Sequence, residues 1–231
     1  MRVSALAVVV AAAFLAGCGG HSKSSAKPNG EASKPANRVF ADTKAAATSA
    51  RSAHVSGNIA ASGMRITLNL DMLRGKGAKG SMSTNGLQFD VVRIGNAAYI
   101  RGSDAFYKHF AGAGIAQLLH DKWLKASIVQ GRFSSLAPLT SIDLLFAKVS
   151  SSHGKLANDG KTTYKGQEVV AIRDTSDNSK LFVAATGKPY PVAIVGGKKS
   201  QSGAITFDDW NESVSLSAPK NAIDISQLGA G

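Results

Sequence analysis

Met64-Arg65-Ile66-Thr67-Leu68-Asn69-Leu70-Asp71-Met72 alternates between apolar and polar residues over its whole length. Met64, Ile66, Leu68, Leu70 and Met72 fall on one side, and Arg65, Thr67, Asn69 and Asp71 on the other. A period of two is that of a β-strand, because successive side chains leave opposite faces of the pleat. A strand with one wet and one apolar face belongs to a sheet covered on one side only, which is the habit of antiparallel sheets.

Short turns surround this strand. Gly75-Lys76-Gly77 ends it, Asn85-Gly86 is a hairpin signal, and Gly95-Asn96 precedes a strand over Ala97–Arg101. The glycine-rich stretch of Gly75, Gly77 and Gly80 reads as a turn, since no helix follows it to hold a phosphate. Further on, Val169–Arg173, Lys180–Ala185, Tyr190–Val195, Ala204–Asp208 and Ser213–Ser217 read as strands. Asp208-Asp209, beside Trp210 and Asn211, reads as a turn between the last two of these rather than as a catalytic carboxylate pair.

Helical spacing appears in two places. An alanine-rich segment, Asn37–Arg51, carries Val39, Phe40, Ala47 and Ala50 near one face, with Asn37 placed to cap it. The middle of the chain holds short helices over Asp104–His109 and Gly114–His120, then a longer one over Pro138–Val149 with Ile142, Leu145, Phe146 and Val149 on one side. Trp123 lies in the loop between them. Helices segregated from antiparallel strands give an α+β class. So many strands must twist and curl, which predicts a curved antiparallel β-sheet, a half-barrel with the helices packed on its concave face.

The N-terminus is of another kind. Arg2 is followed by a small and apolar run, Val3–Phe14, and then by Leu15-Ala16-Gly17-Cys18. The run is too short to span a bilayer and reads as a signal peptide over residues 1–17. Cys18 is the single cysteine of the 231 residues, so no internal disulfide is available. Its place after Leu-Ala-Gly matches a lipobox, predicting a diacylglyceryl thioether on Cys18; two acyl chains anchor where one is marginal. Residues 18–36, rich in Ser, Lys, Gly and Pro, read as a lipidated flexible tether. The eighteen residues after the cysteine would reach roughly 23 Å root-mean-square. A domain over residues 37–231 follows. Export to the outer face of the cell membrane is the expected location.

Composition narrows the function. The net charge is +12, but only 6% of residues are aromatic and no basic run exceeds Lys198-Lys199, so a nucleic-acid groove is not indicated. His21, His54, His109, His120 and His153 are scattered without metal-ligand spacing. No Gly-x-Ser-x-Gly elbow, phosphate loop or dinucleotide fingerprint is present, and no cofactor is expected. A binding protein is favoured over an enzyme.

Three stretches together resemble a known family: the lipobox with its tether and helix, Gly95-Asn96-Ala97-Ala98-Tyr99-Ile100, and the run Leu181–Pro191 followed by Ile205–Asn211. They look like the actinobacterial LppX/LprG-type lipoproteins, which share the half-barrel of the LolA and LolB lipid carriers. Where mycobacterial members carry Leu-Asp-Pro before the central helix, this chain reads Phe110-Ala111-Gly112-Ala113-Gly114-Ile115. The resemblance implies an apolar cavity for acyl chains and a role in carrying or presenting lipids or lipoglycans in the envelope. The partners it implies are the membrane through Cys18, an acylated lipid or lipoglycan, and a membrane transporter. The cavity candidates are Met64, Ile66, Leu68, Leu70, Phe89, Val91, Leu118, Leu119 and Phe146. Each methylene withdrawn from water contributes about 0.8 kcal/mol, so such a ligand needs no polar recognition residues. A second reading stays open, a lipid-tethered interaction or sensor-accessory domain whose apolar face is a closed core. A third is an envelope enzyme with a site assembled only in space.

Overall fold

The computed structural model describes residues 27–61, 63–131, 133–197 and 202–228. Cys18 and residues 1–17, read above as a signal peptide, lie outside them. Among the described residues, twelve strands form one open sheet in the order β12-β6-β5-β4-β3-β2-β1-β11-β10-β9-β8-β7. In chain order these are β1 (Ser52–Ala61), β2 (Met64–Leu73), β3 (Gly77–Thr84), β4 (Leu87–Ile94), β5 (Ala97–Gly102), β6 (Leu124–Ser127), β7 (Leu156–Tyr164), β8 (Gln167–Asp174), β9 (Lys180–Ala184), β10 (Pro191–Val195), β11 (Gly203–Asp208) and β12 (Ile223–Asp224). Neighbours pair antiparallel throughout, except β12 on β6, a two-residue parallel pair at one edge. The helices are α1 (Ala36–Ser49), α2 (Asp104–Ala111), α3 (Ala113–Leu119) and α4 (Ile142–Ser152). The architecture is the α+β curved half-barrel expected from the alternation in β2.

That alternation decides the register. Val55, Leu70, Gly80, Val91 and Ile100 lie in one row across β1 to β5, and Leu68, Met82, Phe89 and Gly102 in the next. A one-residue slip would turn every one of these side chains to water. The inner face so formed meets α2, α3 and α4 in one large core with Phe106, Tyr107, Leu119 and Phe146. A smaller core joins Val39 of α1 to Val170, Ile172, Leu181 and Val183.

Several expectations are corrected. Gly77 and Gly80 belong to β3, and only Gly75 sits in the turn. Gly80 has φ +145°, and a Cβ there would stand 2.1 Å from the Asn69 carbonyl oxygen. Its glycine serves a close approach of strands, not a turn. Helix α1 starts one residue earlier than expected, behind Pro35, so Asn37 does not cap it. The helix expected over Pro138–Val149 is divided: a 3-10 turn covers Pro138–Thr140, and α4 begins after Ser141, whose hydroxyl accepts from the Leu144 N–H at 3.4 Å. Ser213–Ser217 has no ladder partner and is not a strand. Strand β7 was not anticipated; Leu156–Tyr164 is an edge strand with little apolar alternation to read.

The segment assigned to the tether is shorter than its composition suggests. Pro28 bridges Thr186, and the Asn29 N–H donates to the Ala185 carbonyl at 3.0 Å. A 3-10 turn over Glu31–Ser33 follows. The Asn158 side-chain amide donates to the Lys34 carbonyl at 2.8 Å and the Ala32 carbonyl at 3.3 Å. Residues 28–35 are therefore a strap on the sheet edge, with their backbone groups satisfied as a docked segment requires.

Candidate functional site

The candidate site is the inner apolar face of the sheet and the helices over it. Six predicted lining residues come together there: Leu68, Leu70, Phe89, Val91, Leu119 and Phe146 are all buried in the large core. Ile66 packs against it from the rim. Met64 and Leu118 do not join them: Met64 is 48% exposed near the start of β2, and Leu118 is 74% exposed on the outer side of α3. In a helix as short as α3, Leu118 and Leu119 differ by 100° of rotation, and the structure turns Leu119 inward.

The face is covered by protein. Phe106 of α2 sits over Gly102, where a Cβ would stand 2.2 Å from its ring, and packs on Phe89 with ring centroids 5.1 Å apart. Phe106 also touches Phe110, at 4.5 Å between ring centroids, and Phe110 touches Phe133 at 6.4 Å. On the far side Phe146 of α4 packs on Phe207 of β11 at 5.6 Å. These aromatic residues pack against one another over the inner face. Sequence reasoning missed Phe106, Tyr107, Met82, Ile100 and Phe207 as members of this face, although Phe106–Phe110 and the strand pattern carried the signal.

The cover is built from short pieces. Ser103 caps α2 by accepting from the Phe106 N–H at 3.2 Å. Gly112, at φ +82°, breaks the chain between α2 and α3. Helix α3 has only seven residues. Helices of this length are not stable without tertiary support. Two polar contacts hold the pair in place. The Tyr107 hydroxyl donates to the Lys122 carbonyl at 2.7 Å and accepts from the Gly102 N–H at 2.9 Å. Burial pushes the phenol pKa up, so it stays protonated and able to donate. His120, just after α3, meets Asp104 at the start of α2 at 2.8 Å and Asp121 at 3.2 Å. The hydrogen bond with Asp104, aided by the Asp121 charge, raises the imidazole pKa above its ordinary value.

A third polar group closes the other side. Arg93 leaves the inner face of β4 and donates to the Thr140 carbonyl at 3.1 Å, tying the 3-10 turn before α4 to the sheet. Burial lowers its pKa, though a guanidinium stays charged at any physiological pH.

The other described histidines make local contacts. His54 pairs with Asp71 across β1 and β2 at 2.8 Å, His153 packs its ring on Phe40 at 4.7 Å, and His109 packs on Phe110 at 5.0 Å. Asp208 ends β11, and Asp209 follows it in the left-handed conformation, just before the turn at Trp210 and Asn211. Among the described residues, no three of His, Cys, Asp and Glu are grouped to hold a metal ion.

In fold, the chain is similar to LprF from Mycobacterium bovis, at 13% identity over 83% of this chain and 98% of that chain, with a TM-score of 0.55. It is also similar to the Mycobacterium tuberculosis lipoprotein LppX, at 18% identity over 78% and 99% of the two chains, with a TM-score of 0.48. A LolA superfamily protein from Nitrosomonas europaea aligns at 9% identity over 81% and 96%, with a TM-score of 0.27. The likeness to LppX/LprG-type lipoproteins thus holds for the fold. No protein-family model and no curated protein matches the sequence.

Proposed function

We propose that this protein is a lipoprotein of the cell envelope, anchored through Cys18, that binds lipid acyl chains between its sheet and its short helices and carries or presents them. One observation supports this above the others. The large apolar inner face is closed by α2 and α3, two short helices joined at a glycine, rather than by a second sheet. Such a cover is drawn from the low-stability end of the molecule and can open while the strand ladder persists. Opening it would uncover the β4 and β5 residues beneath α2, Phe89 first among them, and the inward side of Leu119. A fold shared with LprF is consistent with this use, and the family resemblance in the sequence motivates it.

No catalytic role is assigned. A binding role fits an inner face whose polar groups, Tyr107 and Arg93, are spent on holding the cover. A handover partner in the membrane belongs to the same reading.

The second reading, a tethered interaction domain with a closed core, is favoured by the packing itself. Leu70, Val91 and Ile100 are fully buried, with aromatic side chains where a ligand would lie. A photoreactive fatty acid separates the two. Crosslinks on inner-face residues of β2 and β4 support lipid binding. Crosslinks confined to Leu118, Val129 and other exposed apolar residues support the closed core.

A further inference from the structure

The strap places the root of the tether, and with it one end of the sheet. Pro28 bridges Thr186 in antiparallel sense, so Lys27 stands beside the β9–β10 turn that holds Gly187 and Lys188. The Ala185 N–H bonds the Glu168 carbonyl, which sets the β7–β8 turn, Lys165-Gly166, beside the same place. Three lysines from separate parts of the sequence, Lys27, Lys165 and Lys188, thereby stand at the same end of the sheet, and all three are exposed. Lys165 also lies over the Tyr164 ring at 5.6 Å, and that ring stacks on Phe182 at 4.6 Å.

A groove of about 560 Å³ opens next to them, between α1 and the β9–β10 turn. Lys34, Arg38 and Lys188 stand on it against Glu31 and Asp42, three cations to two carboxylates. Inside it Lys34 is spent on Glu31 and Asp42, at 2.7 and 2.8 Å, and Asp42 also takes Arg38 at 3.1 Å. Lys188 is the cation that this network leaves over.

We infer that this rim, with Lys27, Lys165 and Lys188, is the surface the domain presents to an anionic phospholipid bilayer. The inference rests on the reading of Cys18 as the lipid anchor. With the strap docked from Pro28, eight residues separate Cys18 from Lys27, and the nine Cα–Cα steps between the two span at most about 32 Å. A tether that short keeps its root close to headgroups. Lysines at the root gain from the negative surface potential, and aromatic rings beside them suit the interface.

The test uses residues 18–231 with Cys18→Ser, which retain every element described above and need no anchor. Sedimentation with phosphatidylglycerol vesicles at low salt is compared with phosphatidylcholine vesicles. Binding to the anionic vesicles alone, lost in high salt, is expected. Three lysines at roughly fivefold each make the combination Lys27→Ala, Lys165→Asn and Lys188→Ala about 100-fold weaker. Asn suits position 165, where φ is +47°. The comparison variant Lys108→Ala, Lys122→Ala and Lys148→Ala removes the same charge from the helical side and keeps the binding. Absence of binding to phosphatidylglycerol, or equal loss in both triple variants, overturns the inference. The mass of the anchored chain is measured separately, so failure of the lipidation reading is told apart from failure of this one.

Discussion

The side-chain amide of Asn29 donates to the carbonyl of Ala184, 155 residues further along the chain, at 2.7 Å. This bond, with the Asn29 N–H on Ala185, pins the strap to the end of β9. Asn29→Ala removes one partner and leaves the carbonyl short of a donor, a loss of about 1 kcal/mol. Amide hydrogen exchange in residues 28–35 should rise by several-fold, while β2 and β3 stay protected.

Tyr107 holds the cover to the sheet. Tyr107→Phe keeps the ring packed beside Phe106 but strands the Lys122 carbonyl and the Gly102 N–H. The expected cost is about 1–3 kcal/mol of stability. If α2 and α3 are a cover, the same variant takes up fatty acid faster than the parent, measured by fluorescence of a lipid probe. A slower or unchanged uptake at reduced stability would mean that the helices are plain core.

His120 makes the cover sensitive to pH. Its pKa is raised in the folded protein by Asp104 and Asp121. A raised pKa means that the contribution is complete below the unfolded value, about 6.5, and is lost as pH rises through the folded one. Exchange in residues 104–119, corrected for its intrinsic pH dependence, should be slower at pH 6 than at pH 8. His120→Ala should abolish the difference. The pair is exposed, so global melting should shift little.

Leu118 and Leu119 separate surface from core. Leu119→Ala should cost about 2–5 kcal/mol, as expected for a buried leucine. Leu118→Ala, at a site 74% exposed, should change stability by about 0.5 kcal/mol or less. Urea denaturation of both variants measures the contrast.

The contrast also shows what the sequence could carry. The alternation in β2 is matched by burial from Ile66 to Met72, because burial of one face imposes a period of two. Seven of the nine cavity candidates were therefore found on or against the core. Met64 failed because it is the first residue of its strand, with 48% exposure, where periodicity no longer reports burial. Leu118 failed because a seven-residue helix has too few turns to fix its phase. Strand β7 was illegible for a different reason. An edge strand is held by backbone bonds to one neighbour, and Ala-Asn-Asp-Gly-Lys-Thr has no apolar face to declare it. Ser213–Ser217 does alternate, but no strand of the sheet pairs with it, and alternation alone does not make a strand. The strap was hidden by a composition that a tether shares.

The lipid itself is the most direct test. Residues 19–231 would be purified from a lipid-producing host and analysed by native mass spectrometry, with extraction of whatever is bound. Stoichiometric lipid, released when the protein is unfolded, is the predicted result and would name the ligand class. A clean unliganded mass that persists after incubation with envelope extract would contradict lipid carriage and leave a tethered domain with a closed core.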